Sequence, residues 1–246
     1  MNDVSIVVWK ELKEFWRARG GLRARLVSFL PIFVVFGIFW PLQGRAAWVT
    51  VPFLPGLLFM LLPLTLAGGT AADSFAGERE RHTLETLLSS RLSDRDIFAG
   101  KVLATTLYCT GLVWACALVA LTTINASRGS APIFLYSSVS MLLITVGTVL
   151  LALLMTSIGV LVSLRAATVR AAAQTFSLVT LLVFVGVPLL MQVLPPQLQA
   201  SLAEALSTTN MTFIGTCAGL VVLAVDVALL AVGVARFQRT RLILEE

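Results

Sequence analysis

Residues 73–101 read DSFAGERERHTLETLLSSRLSDRDIFAGK, the longest charged segment inside an otherwise apolar chain. Acidic and basic residues alternate through its first half. Its apolar residues recur at helical spacing and form one stripe: Leu84, Leu87 and Leu88. This pattern predicts a short amphipathic helix that ends near Ser90. Ser93 then precedes Asp96 by three residues, a capping-box spacing that predicts the start of a new helix.

The rest of the chain is too apolar for a soluble domain. Of its 246 residues, 58% are hydrophobic and 13% are charged, whereas about a quarter of the residues in a soluble domain are charged. The net charge is +5, but the basic residues lie at the ends of apolar runs and form no aromatic-interleaved surface, so we expect no nucleic-acid partner. The composition predicts an all-α, polytopic protein whose environment is a lipid bilayer.

Six apolar runs have the length and composition expected of membrane-spanning helices. They cover residues 26–42, 51–72, 97–124, 133–164, 174–193 and 213–235. Of the 18 Lys and Arg residues, all but Arg45 and Arg128 fall in segments that this layout places on one side of the membrane. The positive-inside rule assigns that side to the cytoplasm. The layout therefore predicts six transmembrane helices with both termini in the cytoplasm.

A second amphipathic pattern precedes the first run. Residues 3–25 carry Val4, Val7 and other apolar side chains at helical spacing, with charges interspersed and with Trp9 and Trp16 as interface-seeking aromatics. Such a helix is expected to lie on the membrane surface. The chain then divides into an interfacial helix, residues 1–25, and a six-span transmembrane domain, residues 26–246, that contains the charged segment 76–100.

The sequence lacks the common signatures of catalysis. It has no G-x-x-x-x-G-K-[ST] run that could cradle nucleotide phosphates, and no HExxH. Its single histidine and its three cysteines, which show no CxxC spacing, indicate no metal site. We therefore expect that the chain is not an enzyme and binds no metal or cofactor itself.

Asp226 is the carboxylate that lies deep inside a predicted span. An ionisable group in the membrane is unfavourable enough to need a partner or a function. We interpret Asp226 as a structural group that forms hydrogen bonds with Ser, Thr or Asn side chains of adjacent helices. The alternative is a proton or ion site.

The run GERERHTLETLLSSRLSDRDIFAGK resembles the cytoplasmic segment between the second and third spans of type-2 ABC exporter permeases. That segment typically reads G-E-x-E-x-x-T-L-E-x-L-L, then a small-residue turn, then G-K. The matching residues here are Gly77, Glu78, Glu80, Thr83, Leu84, Glu85, Leu87, Leu88, Gly100 and Lys101. Arg91 stands about where the family often has proline. On charge pattern alone, an ordinary solvated loop helix would be favoured.

In that family the segment contains the coupling helix that docks on an ATP-hydrolysing subunit. The resemblance implies that the same surface is present here and that its coupling residues are Glu78, Glu80, Thr83, Leu84, Glu85, Leu87 and Leu88. It also implies that residues 1–25 form the connecting helix, that a second permease copy or paralogue completes the transport path, and that a separate ATP-binding subunit binds ATP and Mg²⁺. The protein would then be an exporter permease in the inner (cytoplasmic) membrane.

Three other interpretations stay open. A heme-exporter-type permease of cytochrome c maturation has a similar layout and a similar charged segment. An ATP-independent secondary transporter or channel could use Asp226 for ion coupling, but such proteins usually contain an internal repeat, and residues 26–124 show no convincing similarity to residues 133–235. A purely structural membrane anchor would leave the charged segment unexplained.

Overall fold

The computed structural model describes residues 3–17, 27, 29–51, 53–83, 89–129, 132–186, 189, 192–195, 197–199, 201 and 211–236. Within these residues the regular structure is helical and no β-strand occurs, which confirms the predicted all-α class. The helices are α1 (Asp3–Arg17), α2 (Phe29–Gln43), α3 (Arg45–Thr50), α4 (Leu54–Glu80), α5 (Asp94–Ser127), α6 (Ser138–Arg165), α7 (Val169–Leu181) and α8 (Met211–Arg236). A π-helical segment, Leu182–Gly186, continues α7.

Four helices are long and apolar enough to cross a membrane: α4, α5, α6 and the part Gly215–Ala235 of α8. They correspond to the second, third, fourth and sixth predicted spans, and they make the chain a multi-pass membrane protein. The first predicted span corresponds to α2, which falls among the shorter apolar helices of 10–17 residues. The fifth corresponds to α7 and its π-helical continuation, and most of the chain just beyond Gly186 lies outside the described residues. The number of six spans therefore stays a prediction.

The helix of the second span is longer than the predicted span. The sequence places the end of the span at residue 72, before Asp73, and α4 continues through Asp73 to Glu80. At this position the carboxylate of Asp73 lies 2.9 Å from the guanidinium of Arg81. Glu78 and Glu80 therefore belong to the last turn of α4.

The start predicted for the fourth span is wrong, because α6 begins at Ser138 rather than near residue 133. Asn125 explains the difference. Its side-chain amide donates a hydrogen bond of 3.0 Å to the Phe134 carbonyl, and its side-chain oxygen accepts one of 2.7 Å from the Phe134 N–H. These bonds hold Phe134 outside the helix, which begins four residues later.

Small residues allow α4 and α6 to pack closely. A Cβ added to Gly159 on α6 would lie 2.5 Å from the Cβ of Ala71 on α4. One turn further, the Ser163 hydroxyl oxygen accepts hydrogen bonds from the backbone N–H groups of Phe75, at 3.1 Å, and Ala76, at 2.9 Å. Close backbone approach and hydroxyl bonds are typical of helix pairs in lipid. They fasten α4, the central helix of the described fold, to α6.

The predicted N-terminal helix is present as α1, and it packs on the first half of α5. Val7 is buried against Gly100, where an added Cβ would lie 2.5 Å from the Val7 Cγ1. Trp9 points away from this contact and is 69% exposed. One face of α1 therefore belongs to the protein core and another remains open. Residues 18–25 of the predicted helix lie outside the described residues.

Candidate functional site

Lys101 is a buried cation near the start of α5, with a side chain that is 1% exposed. Its ammonium nitrogen lies 2.9 Å from a carboxylate oxygen of Glu11 and 2.9 Å from one of Glu78, and it donates a hydrogen bond of 2.8 Å to the Ser74 carbonyl. The nitrogen is also 5.1 Å from the centre of the Phe75 ring. Because an ammonium has three N–H donors, each donor of this buried group has a partner.

Lys10 brings a second ammonium to the same place. Its nitrogen is 3.0 Å from the Glu78 oxygen that also binds Lys101. Burial alone would lower the pKa of Lys10, but the carboxylates of Glu11, Glu78 and Glu14 outweigh burial and raise the pKa above its ordinary value. Two ammonium groups thus face the two buried carboxylates of Glu11 and Glu78, which is the compensation that buried charges require.

Arg81 extends this arrangement toward solvent. Its guanidinium contacts Glu14 at 2.9 Å and both carboxylate oxygens of Asp73, at 3.0 and 2.9 Å. We call the residues that share these contacts the charge cluster: Lys10, Glu11, Glu14, Asp73, Glu78, Arg81 and Lys101. The charge cluster joins α1 to the end of α4 and the beginning of α5.

Two other residues in the last turn of α4 hold the junction between α6 and α7. Arg79 donates hydrogen bonds to the carbonyls of Ala166 and Leu164, the second at 3.2 Å. Glu80 accepts a hydrogen bond of 2.8 Å from the N–H of Val169, the first residue of α7. A cation at a helix C-terminus and a carboxylate at a helix N-terminus both complement the helix dipole. The end of α4 is therefore the point where α1, α5, α6 and α7 are tied together.

A Schellman motif ends α4. The His82 N–H donates to the Arg79 carbonyl at 3.1 Å, and the Thr83 N–H donates to the Glu78 carbonyl at 2.9 Å. His82 has a φ of 54°, the left-handed conformation that this motif needs at the position after the helix cap. The chain consequently leaves α4 in a defined direction at Thr83.

The predicted cap of α5 is confirmed. The Ser93 hydroxyl oxygen accepts a hydrogen bond of 3.2 Å from the Asp96 N–H, and α5 begins at the next residue, Asp94. The coupling residues predicted between Thr83 and this cap are Leu84, Glu85, Leu87 and Leu88. They lie outside the described residues, so their docking role stays a prediction.

The remaining predicted coupling residues have different surroundings. Glu80 and Thr83 are exposed at the end of α4, whereas Glu78 is 4% exposed and its carboxylate faces Lys10 and Lys101. A role of Glu78 in coupling would therefore act through its hold on α1 and α5 rather than through direct surface contact. That role stays a prediction.

Sequence reasoning missed the pairing of Glu11 with Lys101, although a signal was present. Glu11 lies on the same helical stripe as Val4 and Val7, the face of α1 that packs on the protein. Lys101 interrupts the apolar run 97–124. Charges of opposite sign at two apolar positions indicate that the two segments contact each other there.

Asp226 lies in α8, and its side chain has no exposed surface. The hydrogen bonds expected for it are not formed, because neither carboxylate oxygen has a partner in the described part of the chain. In the same part of the chain, no group of three or more His, Cys, Asp or Glu side chains could hold a metal ion.

A comparison with protein-family models matches residues 43–242 to the family described as ABC-2 family transporter protein. A comparison with curated proteins finds no match. The matched region contains helices α4 to α8 and the whole charged segment, whereas α1 precedes it. The charge cluster thus connects α1 to residues inside the family match.

Proposed function

Because this chain belongs to the ABC-2 transporter family, we propose that it is the permease subunit of an ATP-driven exporter and that residues 84–88 dock on a separate ATP-binding subunit. One observation supports the docking role above the others. Glu78 precedes residues 84–88 and Lys101 follows them, and their buried contact of 2.9 Å closes the loop between the two helices. A segment whose two flanks are joined in this way is suited to transmit a displacement.

The flanks also determine where a displacement would go. The Schellman motif fixes the chain at Thr83, and the Ser93 cap fixes the start of α5. Through Lys101 the movement would reach α1, and through Arg79 and Glu80 it would reach the junction of α6 and α7. A push on residues 84–88 would therefore move the ends of several helices together, as in a rigid-body transition.

The proposal includes a second permease copy or paralogue, since two halves that rotate against each other can open and close a path between them. ATP and Mg²⁺ would be bound by the partner subunit. The distribution of Lys and Arg supports a cytoplasmic position for the charged segment and both termini, in the inner membrane. A cysteine at Ser127 should then react with an impermeant label added outside intact cells, and one at Ser90 should not; labelling of Ser90 from outside would contradict this topology.

The experiment that tests docking is Leu87→Glu. A docking helix seats its apolar stripe in a groove of its partner, so a carboxylate in place of a central leucine would be desolvated without a counterion. We expect the variant to lose co-purification of a P-loop-containing ATP-binding subunit, and to lose substrate-stimulated ATP hydrolysis in the reconstituted complex. Thr86→Glu is the matched control, because it adds the same charge to the same segment but lies off the leucine stripe.

The variant Glu85→Ala distinguishes an exposed from a buried Glu85 carboxylate in the complex with the ATP-binding subunit. If the Glu85 carboxylate lies at the exposed rim, its loss should weaken the complex by about 1 kcal/mol or less. If the partner buries it against an Arg or a backbone N–H, the loss should be larger, and this second form is the one we propose. Wild-type affinity and coupled hydrolysis in Leu87→Glu would show that residues 84–88 are an ordinary loop.

A further inference from the structure

Asp226 lies apart from the charge cluster and from residues 84–88, and no role described so far uses it. α8 is exposed along most of its length, yet the Asp226 side chain is 0% exposed. Neither of its carboxylate oxygens has a hydrogen-bond partner among the described residues. An ionised carboxylate in such a position is strongly unfavourable unless a cation accompanies it. The surroundings of Asp226 show which cation it can hold.

The contact between α8 and α5 sets the register of the two helices. A Cβ added to Gly233 would overlap the Phe98 ring, so the helices meet there. Phe98 lies near the start of α5 and Gly233 near the end of α8, and both helices are long enough to cross the membrane, so α8 runs back along α5 from this contact. The two helices are therefore antiparallel where they pack.

This register places a hydroxyl opposite Asp226. Seven residues are two turns of α-helix, about 10.5 Å, and return to within about 20° of the same face. Asp226 precedes Gly233 by seven residues, and Thr105 follows Phe98 by seven. Thr105 is 0% exposed, and its hydroxyl also has no hydrogen-bond partner in the described structure.

Helix α6 supplies a second hydroxyl at the same level. Val160 of α6 packs in one apolar cluster with Phe98 of α5 and Leu230 of α8, and Leu153 packs on that cluster too. Ser157 lies between Leu153 and Val160 at helical spacing, so it belongs to the same stripe. It is 0% exposed, and its hydroxyl has no partner among the described residues.

Most hydroxyls inside these helices donate to a carbonyl of the preceding turn. Thr110 bonds to Thr106 in this way at 2.8 Å, and Ser74 bonds to Ala71 at 2.6 Å. The hydroxyls of Thr105 and Ser157 form no such bond. The hydroxyls of the neighbouring residues Thr106 and Thr156 are also buried and have no partner in the described part of the chain. Buried hydroxyls without hydrogen-bond partners therefore lie at the same level as the Asp226 carboxyl group, which also has no partner.

We propose that Asp226, Thr105 and Ser157 form a proton-binding site within the membrane. The carboxyl group of Asp226 is neutral there. The hydroxyls of Thr105 and Ser157 form no hydrogen bond with it in the structure, and rotation of these side chains would bring them to its O–H and C=O groups. A proton suits this place better than a metal cation, since hard cations take about six oxygen ligands or more. Here the three side chains offer fewer oxygens, and the surrounding backbone carbonyls belong to continuous helices.

No other charge on the facing helices replaces the proton. On α5, Lys101 lies one turn toward the charge cluster and its N–H donors are already used, and Tyr108 and Cys109 lie one turn in the other direction. On α6, residues 148–164 include no titratable side chain. If α8 separates from α5 and α6, water reaches the carboxyl group and the proton can leave. An ionised Asp226 would then oppose renewed packing of α8.

Infrared spectroscopy of the full chain in phosphatidylcholine bilayers tests the site directly. At pH 7 in sodium-free buffer, the wild type should show the C=O band of a protonated carboxyl group, and ¹³C labelling of aspartate should shift that band. Asp226→Asn should remove it, and Thr105→Val or Ser157→Ala should move it to higher frequency by taking away a hydrogen bond. Asp73→Asn is the matched control and should leave the band unchanged, because Asp73 is paired with Arg81 outside the site.

The ¹³C label assigns the band to aspartate in the wild type itself, so the test does not depend on the folding of any variant. The proposal is overturned if the wild type shows no protonated carboxyl band at pH 7, or if aspartate labelling does not shift the band. A band that appears only after alkali-metal ions are removed would also overturn it, since the site would then hold a metal cation. None of these outcomes depends on ATP hydrolysis or transport, so they are independent of the proposed function.

Discussion

Replacement of Lys101 by methionine keeps the approximate length of the side chain and removes its charge. The wild-type ammonium has two carboxylates and one carbonyl within 2.9 Å. In the variant, Glu11 and Glu78, each 4% exposed, would lose their buried cation and keep only the half-exposed ammonium of Lys10. Removal of one member of a buried ion pair costs about 3–5 kcal/mol, because the other charge stays buried without compensation.

Lys10→Met is the matched control. Lys10 contacts the same Glu78 oxygen at 3.0 Å, but its side chain is 49% exposed, so water screens the interaction. Its loss should cost about 1 kcal/mol or less. For a chain of this size, a loss of 1 kcal/mol lowers Tm by about 2–4 °C. We therefore expect Lys101→Met to lower Tm by about 10 °C and Lys10→Met by at most about 4 °C.

Thermal unfolding of the two variants in the same lipid–detergent mixture, followed by tryptophan fluorescence, measures this difference. The triple variant Lys101→Met/Glu11→Gln/Glu78→Gln should regain more than half of the lost Tm, because it leaves no buried carboxylate without a cation. Equal Tm losses for the two lysines would refute the reasoning from burial. A triple variant no more stable than Lys101→Met would show that the loss came from packing instead.

Three further predictions concern helix packing and the end of α4. Gly100→Ala should loosen the packing of α1, because the added Cβ would lie 2.5 Å from the Val7 side chain. Gly111→Ala is the control: its added Cβ meets nothing within 4 Å, so it should be neutral or stabilising. Proteolysis within α1 should accelerate only in Gly100→Ala. Ser163→Ala should cost about 1 kcal/mol by removing the hydroxyl that α6 presents to two backbone N–H groups of α4, while Ser177→Ala should have little effect on Tm because Ser177 is exposed. His82→Gly should stabilise by about 1 kcal/mol, since the left-handed conformation penalises residues with a Cβ; an unchanged or lower Tm would count against the Schellman motif.

The local sequence pattern was sufficient to predict the helices themselves. A long apolar run must satisfy its backbone groups internally in lipid, so composition alone indicates an all-α class. The Ser93 cap depends on Asp96, three residues away, and was predictable for the same reason: both groups lie in one short stretch of chain. The start of α6 was predicted less well because a distant group intervenes: Asn125 holds Phe134 outside the helix.

The sequence by itself determined that this chain lies in a membrane, where most of its helices run, and which segment carries the family's coupling pattern. Only the tertiary structure decided that Glu78 faces inward to Lys101, that Glu11 of α1 completes their contact, and that the carboxyl group of Asp226 is buried without a partner among the described residues. The reason is physical. Helix formation depends on neighbours within four residues, whereas the partner of a buried charge is set by helix packing, and Lys101 and Glu11 are 90 residues apart in the chain.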